Sequence, residues 1–135
     1  MLTPADILSV DGPLAELIPD YAVRAQQIEM SEAIASAIAH QESLICEAGT
    51  GTGKTFAYLV PAILSGMKII ISTGTRHLQD QLFQRDLKII QQATGRAIHT
   101  SLLKGRSNYL CLHRLDLVEV DTAGMNAVNI SHLFG

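Results

Sequence analysis

Cysteine is scarce in this sequence, with two residues, Cys46 and Cys111, among 135. Two cysteines are too few for the disulfide framework of a small secreted domain, so we expect a reducing, cytoplasmic compartment. The first residues lack the basic stretch and apolar core of a signal peptide. The longest apolar run, residues 56–64, contains Pro61 and falls far short of the roughly 20 residues that cross a membrane. We therefore expect no membrane association.

An excess of positive charge is also missing, because 10 lysines and arginines stand against 13 acidic residues and the net charge is −3. No global basic field marks the chain as a nucleic-acid binder, although a local basic groove on an acidic protein remains compatible with DNA binding. The length of 135 residues and the hydrophobic share of 47% indicate one soluble domain with a substantial core.

A glycine-rich stretch stands out against these absences: Ala48-Gly49-Thr50-Gly51-Thr52-Gly53-Lys54-Thr55. It fits the phosphate-binding loop pattern G-x-x-x-x-G-K-[ST], with alanine in place of the first glycine. An apolar run at residues 43–46 precedes it and a helical pattern at residues 55–64 follows it, which is the strand–loop–helix context that the motif needs. The alternative is an ordinary glycine-rich turn.

The chemistry of such a loop is specific. Small residues let backbone N–H groups curl round an anion, and the helix that begins near Gly53 adds its positive end. Lys54 is expected to reach the β- and γ-phosphates, and the Thr55 hydroxyl is expected to bind Mg²⁺. The sequence therefore predicts a nucleoside triphosphate site.

The hydrophobic pattern predicts an α/β fold of alternating strands and helices. Strands are predicted at residues 43–47, 68–71 and 97–103, and the unbroken apolar run of the second is typical of a parallel sheet. A strand, a long helix and a second strand form a right-handed βαβ unit. Helices are predicted at residues 4–8 with Thr3 as cap, and at 14–18, 26–40, 55–64, about 78–95, and about 109–117.

The predicted helix at residues 26–40 carries an apolar stripe, Met30, Ala33, Ile34, Ala37 and Ile38, which we expect to pack in the core. Arg24 and Gln27 lie at its entrance, outside the stripe, where solvated polar residues are the ordinary interpretation. Cys46 lies on the first predicted strand and is expected to be a small buried hydrophobic residue.

Three cations and an aromatic residue are the candidates for a nucleic-acid surface: Arg76, Lys104, Arg106 and Tyr109. The cations lie in turns after predicted strands, where they could share one face and contact phosphates, while Tyr109 could stack on a base. Scattered surface charge is the alternative.

Residues 117–124 allow two weaker interpretations, a Mg²⁺-holding strand that ends in Asp121 and the Asp-x-x-Gly turn of small GTPases. Glu119 interrupts the apolar run, Thr122 stands where an ATPase carries glutamate, and no guanine-reading Asn-Lys-x-Asp follows. A helix end and a turn are the simpler prediction there. The five histidines show no metal-ligand spacing.

Several stretches together resemble the XPD/DinG family of iron–sulfur superfamily two DNA helicases, most closely its bacterial DinG-like branch. The phosphate-binding loop alone is shared by many ATPases, whereas the last of the matching stretches is far more particular. The matching stretches are Arg24-Ala25-Gln26-Gln27-Ile28-Glu29-Met30, Glu47 to Thr55, Ile71-Ser72-Thr73-Gly74-Thr75, Leu78-Gln79-Asp80-Gln81-Leu82, and Lys104-Gly105-Arg106-Ser107-Asn108-Tyr109-Leu110-Cys111.

The resemblance implies a role for each matching position. Arg24 and Gln27 fall on the adenine-recognition motif of the family, and Lys54 and Thr55 take the phosphate and Mg²⁺ roles. Thr75 and Arg76 lie in the motif that contacts the DNA backbone. Cys111 matches the first of four cysteines that hold a [4Fe–4S] cluster. The family fold is a RecA-like three-layer P-loop domain with a mainly parallel sheet, and its members are ATP-dependent motors that track single-stranded DNA from 5′ to 3′ in repair and replication.

The chain also departs from this family. It contains no Asp-Glu-Ala-His box to position the attacking water, three cluster cysteines are missing, and no second motor domain is present. We therefore expect an N-terminal fragment, with residues 1–104 in a truncated ATP-binding motor domain and residues 105–135 at the start of the iron–sulfur region. Such a piece is expected to bind ATP and to be inactive alone. The alternatives are a stand-alone nucleotide-binding or partner-binding module and a small GTPase-like P-loop protein.

Overall fold

The computed structural model describes residues 2–122 of the chain. The chain divides into two compact units, Met1–Ser101 and Leu102–Gly135. The second contains a 3₁₀ turn, Arg106–Asn108, and α7, Leu112–Thr122. Among the described residues, no helix combines the length and apolar character that a membrane crossing requires. The first unit contains α1 (Pro4–Leu8), α2 (Pro13–Leu17), α3 (Ala25–His40), α4 (Lys54–Ser65), α5 (Arg76–Gln81), a π-helical turn (Leu82–Asp86) and α6 (Leu87–Thr94).

The ends of α1 and α4 show why these residues form helices. The Thr3 hydroxyl accepts a hydrogen bond from the backbone N–H of Asp6, whose carboxylate accepts from the Thr3 N–H at 2.8 Å, and this pair forms a capping box. At the C-terminal end of α4, the Arg96 guanidinium donates to the carbonyl oxygens of Ile63 and Leu64 at 3.2 and 2.8 Å. Both carbonyls lie in the last turn of α4. That of Ile63 also accepts from the N–H of the cap residue Gly66, and the guanidinium gives the Leu64 carbonyl a partner at the end of the helix.

The core of the first unit is built from helices alone. Helix α4 packs against α3, α1 and α6, while α2 packs against α1 and α6. A helix satisfies its backbone hydrogen bonds internally, so it can enter such a core on one apolar face. The buried apolar cluster consists of Ile7, Leu8, Leu14, Leu59, Val60, Leu82, Ile90 and Ala93.

The predicted strands are not confirmed, because residues 2–122 contain no strand. No backbone hydrogen bond joins residues 43–47 to residues 68–71 in this part of the chain. A strand needs a neighbouring strand for its N–H and C=O groups, and an apolar sequence alone does not supply one. Most side chains of the three predicted strands are accordingly exposed, with Ile45 at 98%, Ile70 at 92% and Leu103 at 82%.

Two predictions about burial were wrong because the expected sheet is absent from the described residues. The stripe on α3 is half-buried rather than buried, and its residues Met30, Ile34, Ala37 and Ile38 line an open groove of about 600 Å³. Cys46 lies on the wall of this groove and is exposed. The fully buried positions of α3 are polar ones, Gln27 and Ser31.

Candidate nucleotide-binding site

The glycine-rich loop leads directly into α4. Gly53 caps this helix with φ 76° and ψ 27°, in the left-handed region where residues with a Cβ are strained. A Cβ on Gly53 would also collide with the side-chain amide of Gln27. At Gly49 and Gly51 a Cβ would meet no atom within 4 Å, so the loop is open on that side. The loop is therefore shaped to let a ligand approach its backbone.

The Lys54 ammonium group lies over the loop. Its Nζ donates to the carbonyl oxygens of Ala48 at 2.7 Å and Gly49 at 2.6 Å. The Thr52 hydroxyl donates to the same Gly49 carbonyl at 2.9 Å, which tightens the turn. A cation in this position, next to the positive end of a helix without a side-chain cap, suits a polyanionic group such as a triphosphate.

Thr55 is half-buried in the first turn of α4, one turn before Tyr58. Burial raises the pKa of Tyr58, a side-chain hydrogen bond with Thr55 lowers it, and the negative charge of Asp86 raises it. The phenol therefore keeps its proton at neutral pH. The Thr55 hydroxyl is an oxygen ligand of the kind that suits a Mg²⁺ ion beside a phosphate.

Asp86 is a buried carboxylate, 1% exposed, at the end of the π-helical turn. Its oxygens accept from Gln81 Nε2 at 3.1 Å and from Arg85 Nε at 3.0 Å. Asp86 thus holds the π-helical turn to the end of α5, and the turn itself packs against α4.

Arg24 and Gln27 lie at the start of α3, with Arg24 as the exposed cap residue and Gln27 2% exposed. The amide Nε2 of Gln27 donates to the carbonyl oxygen of Gly53 at 2.9 Å. The structure thus brings Gln27 of the predicted base-recognition motif against the predicted phosphate-binding loop.

Thr75 and Arg76 begin α5, where the Thr75 hydroxyl accepts from the Leu78 N–H at 3.2 Å. Lys104, Arg106 and Tyr109 belong to the second unit, in which Tyr109 Oη accepts from the Lys104 N–H at 2.8 Å. That Arg76 shares a face with these residues stays a prediction.

The structure gives little support to the candidate cluster ligand Cys111 and to the interpretations of residues 117–124. Cys111 is exposed, just before α7, and the described residues contain no group of three or more histidine, cysteine or acidic residues that could hold a metal. A four-thiolate cluster therefore has one matching ligand here and does not fit the described residues by themselves. Asp121 and Thr122 end α7, while Gly124 of the GTPase interpretation lies outside the described residues.

Sequence reasoning missed three residues whose side chains tie elements of the first unit together: Tyr21, Asp86 and Arg96. Asp86 had a local signal, because it lies in helical register between the buried Leu82 and Ile90. The contacts of Tyr21 and Arg96 join residues distant in the chain, so no spacing rule points to them.

Comparison with known proteins places this site in a family. The family model of DEAD/DEAH box helicases matches residues 26–128. The chain is 55% identical over 114 residues to "ATP-dependent DNA helicase YoaA" of Haemophilus influenzae and 50% identical over 111 residues to the protein of the same name in Escherichia coli. It is 40% identical over 109 residues to "3'-5' exonuclease DinG" of Bacillus subtilis.

These alignments cover 84%, 82% and 78% of this chain, but they span only 18%, 18% and 12% of the respective relatives. No solved structure matches the chain.

Proposed function

The chain belongs to the DEAD/DEAH box helicase family, and on that premise we propose that it is the ATP-binding part of an ATP-dependent DNA helicase of the DinG-like branch. The observation that supports this most is the loop at residues 48–55, where Lys54 lies over the loop carbonyls at the N-terminus of α4. Two of the three relatives compared are named ATP-dependent DNA helicases. ATP supplies the free energy that the motor converts to movement on DNA.

In this proposal each loop residue has a separate task. The backbone N–H groups from Gly49 to Gly53 surround the phosphates, and Lys54 exchanges its two carbonyl partners for phosphate oxygens. Thr55 offers its hydroxyl to Mg²⁺. Arg24 and Gln27 supply the adenine-recognition motif, with Gln27 also bound to the Gly53 carbonyl.

The DNA substrate is assigned to another part of the first unit. Thr75 and Arg76 begin α5 and contact the backbone of single-stranded DNA, along which the whole protein moves from 5′ to 3′. The π-helical turn that continues this helix packs against α4, which offers a physical connection between the DNA and ATP sites.

The same proposal explains the exposed apolar segments as strands that lack their partners. In a three-layer RecA-like domain, further strands pair with these segments. A mainly parallel sheet then includes residues 43–47, 68–71 and 97–103. The motor domain then includes residues 1–104, and residues 105–135 begin the iron–sulfur region, with Cys111 as one cluster ligand.

The nucleotide site can be tested on the 135-residue chain itself. Mg²⁺–ATP at 100 times its Kd should stabilise the fold by about 2.7 kcal/mol, seen as a rise in the thermal unfolding midpoint. Lys54→Ala should remove this rise. Lys88→Ala, a change at an exposed lysine of α6, is the matched control and should keep it. An equal shift in the Lys54 variant would contradict the proposal.

The same samples test the type of nucleotide and the need for the rest of the protein. ATP should bind more tightly than GTP, and tighter GTP binding would favour the small GTPase interpretation. ATP hydrolysis should stay near background with or without single-stranded DNA, because the 135 residues lack an Asp-Glu-Ala-His box. Robust turnover would favour a self-sufficient module.

Cys111 requires a longer chain for its test. A protein extended through the remaining cysteines and purified without oxygen should absorb visible light as an iron–sulfur protein does, and Cys111→Ser should make the cluster labile. Cys46→Ser in the same chain is the matched control and should leave the iron content unchanged. Full iron content in the Cys111 variant would make this cysteine structural.

A further inference from the structure

Tyr21 lies between α2 and α3 and has no assigned role in nucleotide binding. Its hydroxyl is 3.0 Å from the carbonyl oxygen of Leu8, the last residue of α1, and 3.3 Å from Oε1 of Gln27. Burial raises the pKa of Tyr21, although Arg24 opposes this shift, so the hydroxyl keeps its proton at neutral pH. One hydroxyl hydrogen is thus shared between the end of α1 and the side chain of Gln27.

The amide of Gln27 is held at both ends. Its Nε2 donates to the Gly53 carbonyl at 2.9 Å, and its Oε1 accepts from Tyr21. A carbonyl can only accept, so the contact with Gly53 determines which end of the amide is the nitrogen. At 2% exposure the amide has no water to replace a lost partner.

Gly53 transmits the position of Gln27 to the loop. Its carbonyl also accepts from the N–H groups of Phe56 and Ala57 at 3.1 and 3.2 Å, in the first turn of α4. No side chain larger than hydrogen fits between Gly53 and Gln27. A displacement of the Gln27 amide therefore shifts the residue that immediately precedes Lys54.

We propose that Tyr21 is a positioning residue of the nucleotide site, whose hydroxyl holds Gln27 against Gly53 and keeps the loop in its binding shape. The inference depends on the proposed function, since both concern the same loop. It makes α1, which precedes the matched residues 26–128, part of the nucleotide site through the Leu8 carbonyl.

The test is a titration of the 135-residue chain with Mg²⁺–ATP by calorimetry. Tyr21→Phe keeps the ring and removes only the hydroxyl, so the Kd should rise about 3- to 10-fold, the factor of one lost hydrogen bond. Ser31→Ala is the matched control: it removes a buried hydroxyl without a partner from the next turn of α3 and should leave the Kd unchanged.

A double-mutant cycle distinguishes positioning from a general loss of stability. Gln27→Leu should weaken ATP binding at least as much as Tyr21→Phe, and the double variant should be no weaker than Gln27→Leu alone. Independent, additive effects would overturn the proposal, as would an unchanged Kd in Tyr21→Phe. Gln27→Glu can still accept from Tyr21 but cannot donate to Gly53, so it should also bind ATP weakly and provides a second, near-isosteric probe.

The Lys54→Ala variant separates the two hypotheses. If Lys54→Ala abolishes ATP binding while Tyr21→Phe binds normally, the nucleotide function stands and the role of Tyr21 is wrong. If the parent chain itself does not bind ATP, both are wrong.

Discussion

The isoleucines at positions 90 and 70 lie in opposite surroundings. Ile90 on α6 is 0% exposed, whereas Ile70 in an apolar segment is 92% exposed. The helix around Ile90 satisfies its own backbone hydrogen bonds and enters the core with one face. The segment around Ile70 has an equally apolar sequence, but its backbone needs a neighbouring strand. Hydrophobicity alone therefore does not decide burial in this chain; the source of backbone hydrogen bonds does.

Truncating both isoleucines should give the largest contrast. Ile90→Ala should lower the free energy of unfolding by about 2–5 kcal/mol, because it leaves a cavity in the helical core. Ile70→Ala should change it by no more than about 0.5 kcal/mol. Urea unfolding followed by circular dichroism measures both. Equal losses would show that Ile70 is covered in solution and would break the comparison.

Asp86 tests whether the helical core depends on polar contacts as well as apolar ones. Asp86→Ala removes the acceptor for Gln81 and Arg85, and it should lower the free energy of unfolding by about 1–3 kcal/mol. Glu29→Ala, at an exposed position of α3, is the control and should have little effect. A stabilised Asp86 variant would mean that desolvation of the carboxylate outweighs its hydrogen bonds.

Acid should act on the edge of the helical core through the cap of α1. Hydrogen bonds from the backbone and then the side chain of Thr3 lower the pKa of Asp6 from its ordinary value of 3.8. A carboxyl group with a lowered folded-state pKa stabilises the fold above its unfolded pKa, and this contribution is lost as the pH falls through the folded value. Between pH 7 and pH 2, Asp6→Asn should therefore lose less stability than the parent chain. An identical acid profile in both would contradict the capping role.

The exposed segments should respond through association rather than stability. Ile70→Lys should leave the free energy of unfolding within about 0.5 kcal/mol of the parent value, because the side chain is already in water. A charge on an open apolar edge should reduce self-association, measured by sedimentation velocity at increasing concentration. Unchanged association would show that this segment does not mediate self-association.

The helices of the first unit could be predicted because their signals are local. Thr3 caps α1, and Gly66 and Gly95 follow the ends of α4 and α6. The sheet could not be settled in the same way, since pairing depends on chain segments that a local pattern does not contain. The open groove beside Met30 and Ile34 follows from that difference, because the apolar stripe of α3 lies beside the unpaired segments.

The site divides along the same line. The spacing of Gly53, Lys54 and Thr55 is itself the chemical signal, so the loop could be predicted from adjacent residues. That Gln27 lies against Gly53, with Tyr21 behind it, depends on contacts between separate elements. The family resemblance pointed to Gln27 and Arg24, but nothing in the order of residues pointed to Tyr21.

The π-helical turn at Leu82–Asp86 sets an angle between the two ends of its helix. The N–H of Leu87 donates to the carbonyl of Leu82, five residues back instead of four, so one residue is added to the turn. Each residue of an α-helix rotates the chain by about 100°. Seen from α6, the added residue therefore rotates the start of α5, where Arg76 lies, by about a quarter turn relative to an uninterrupted helix. A deletion of one residue within this turn would restore an uninterrupted helix, yet it would aim the proposed DNA-contacting end at a different side of the protein.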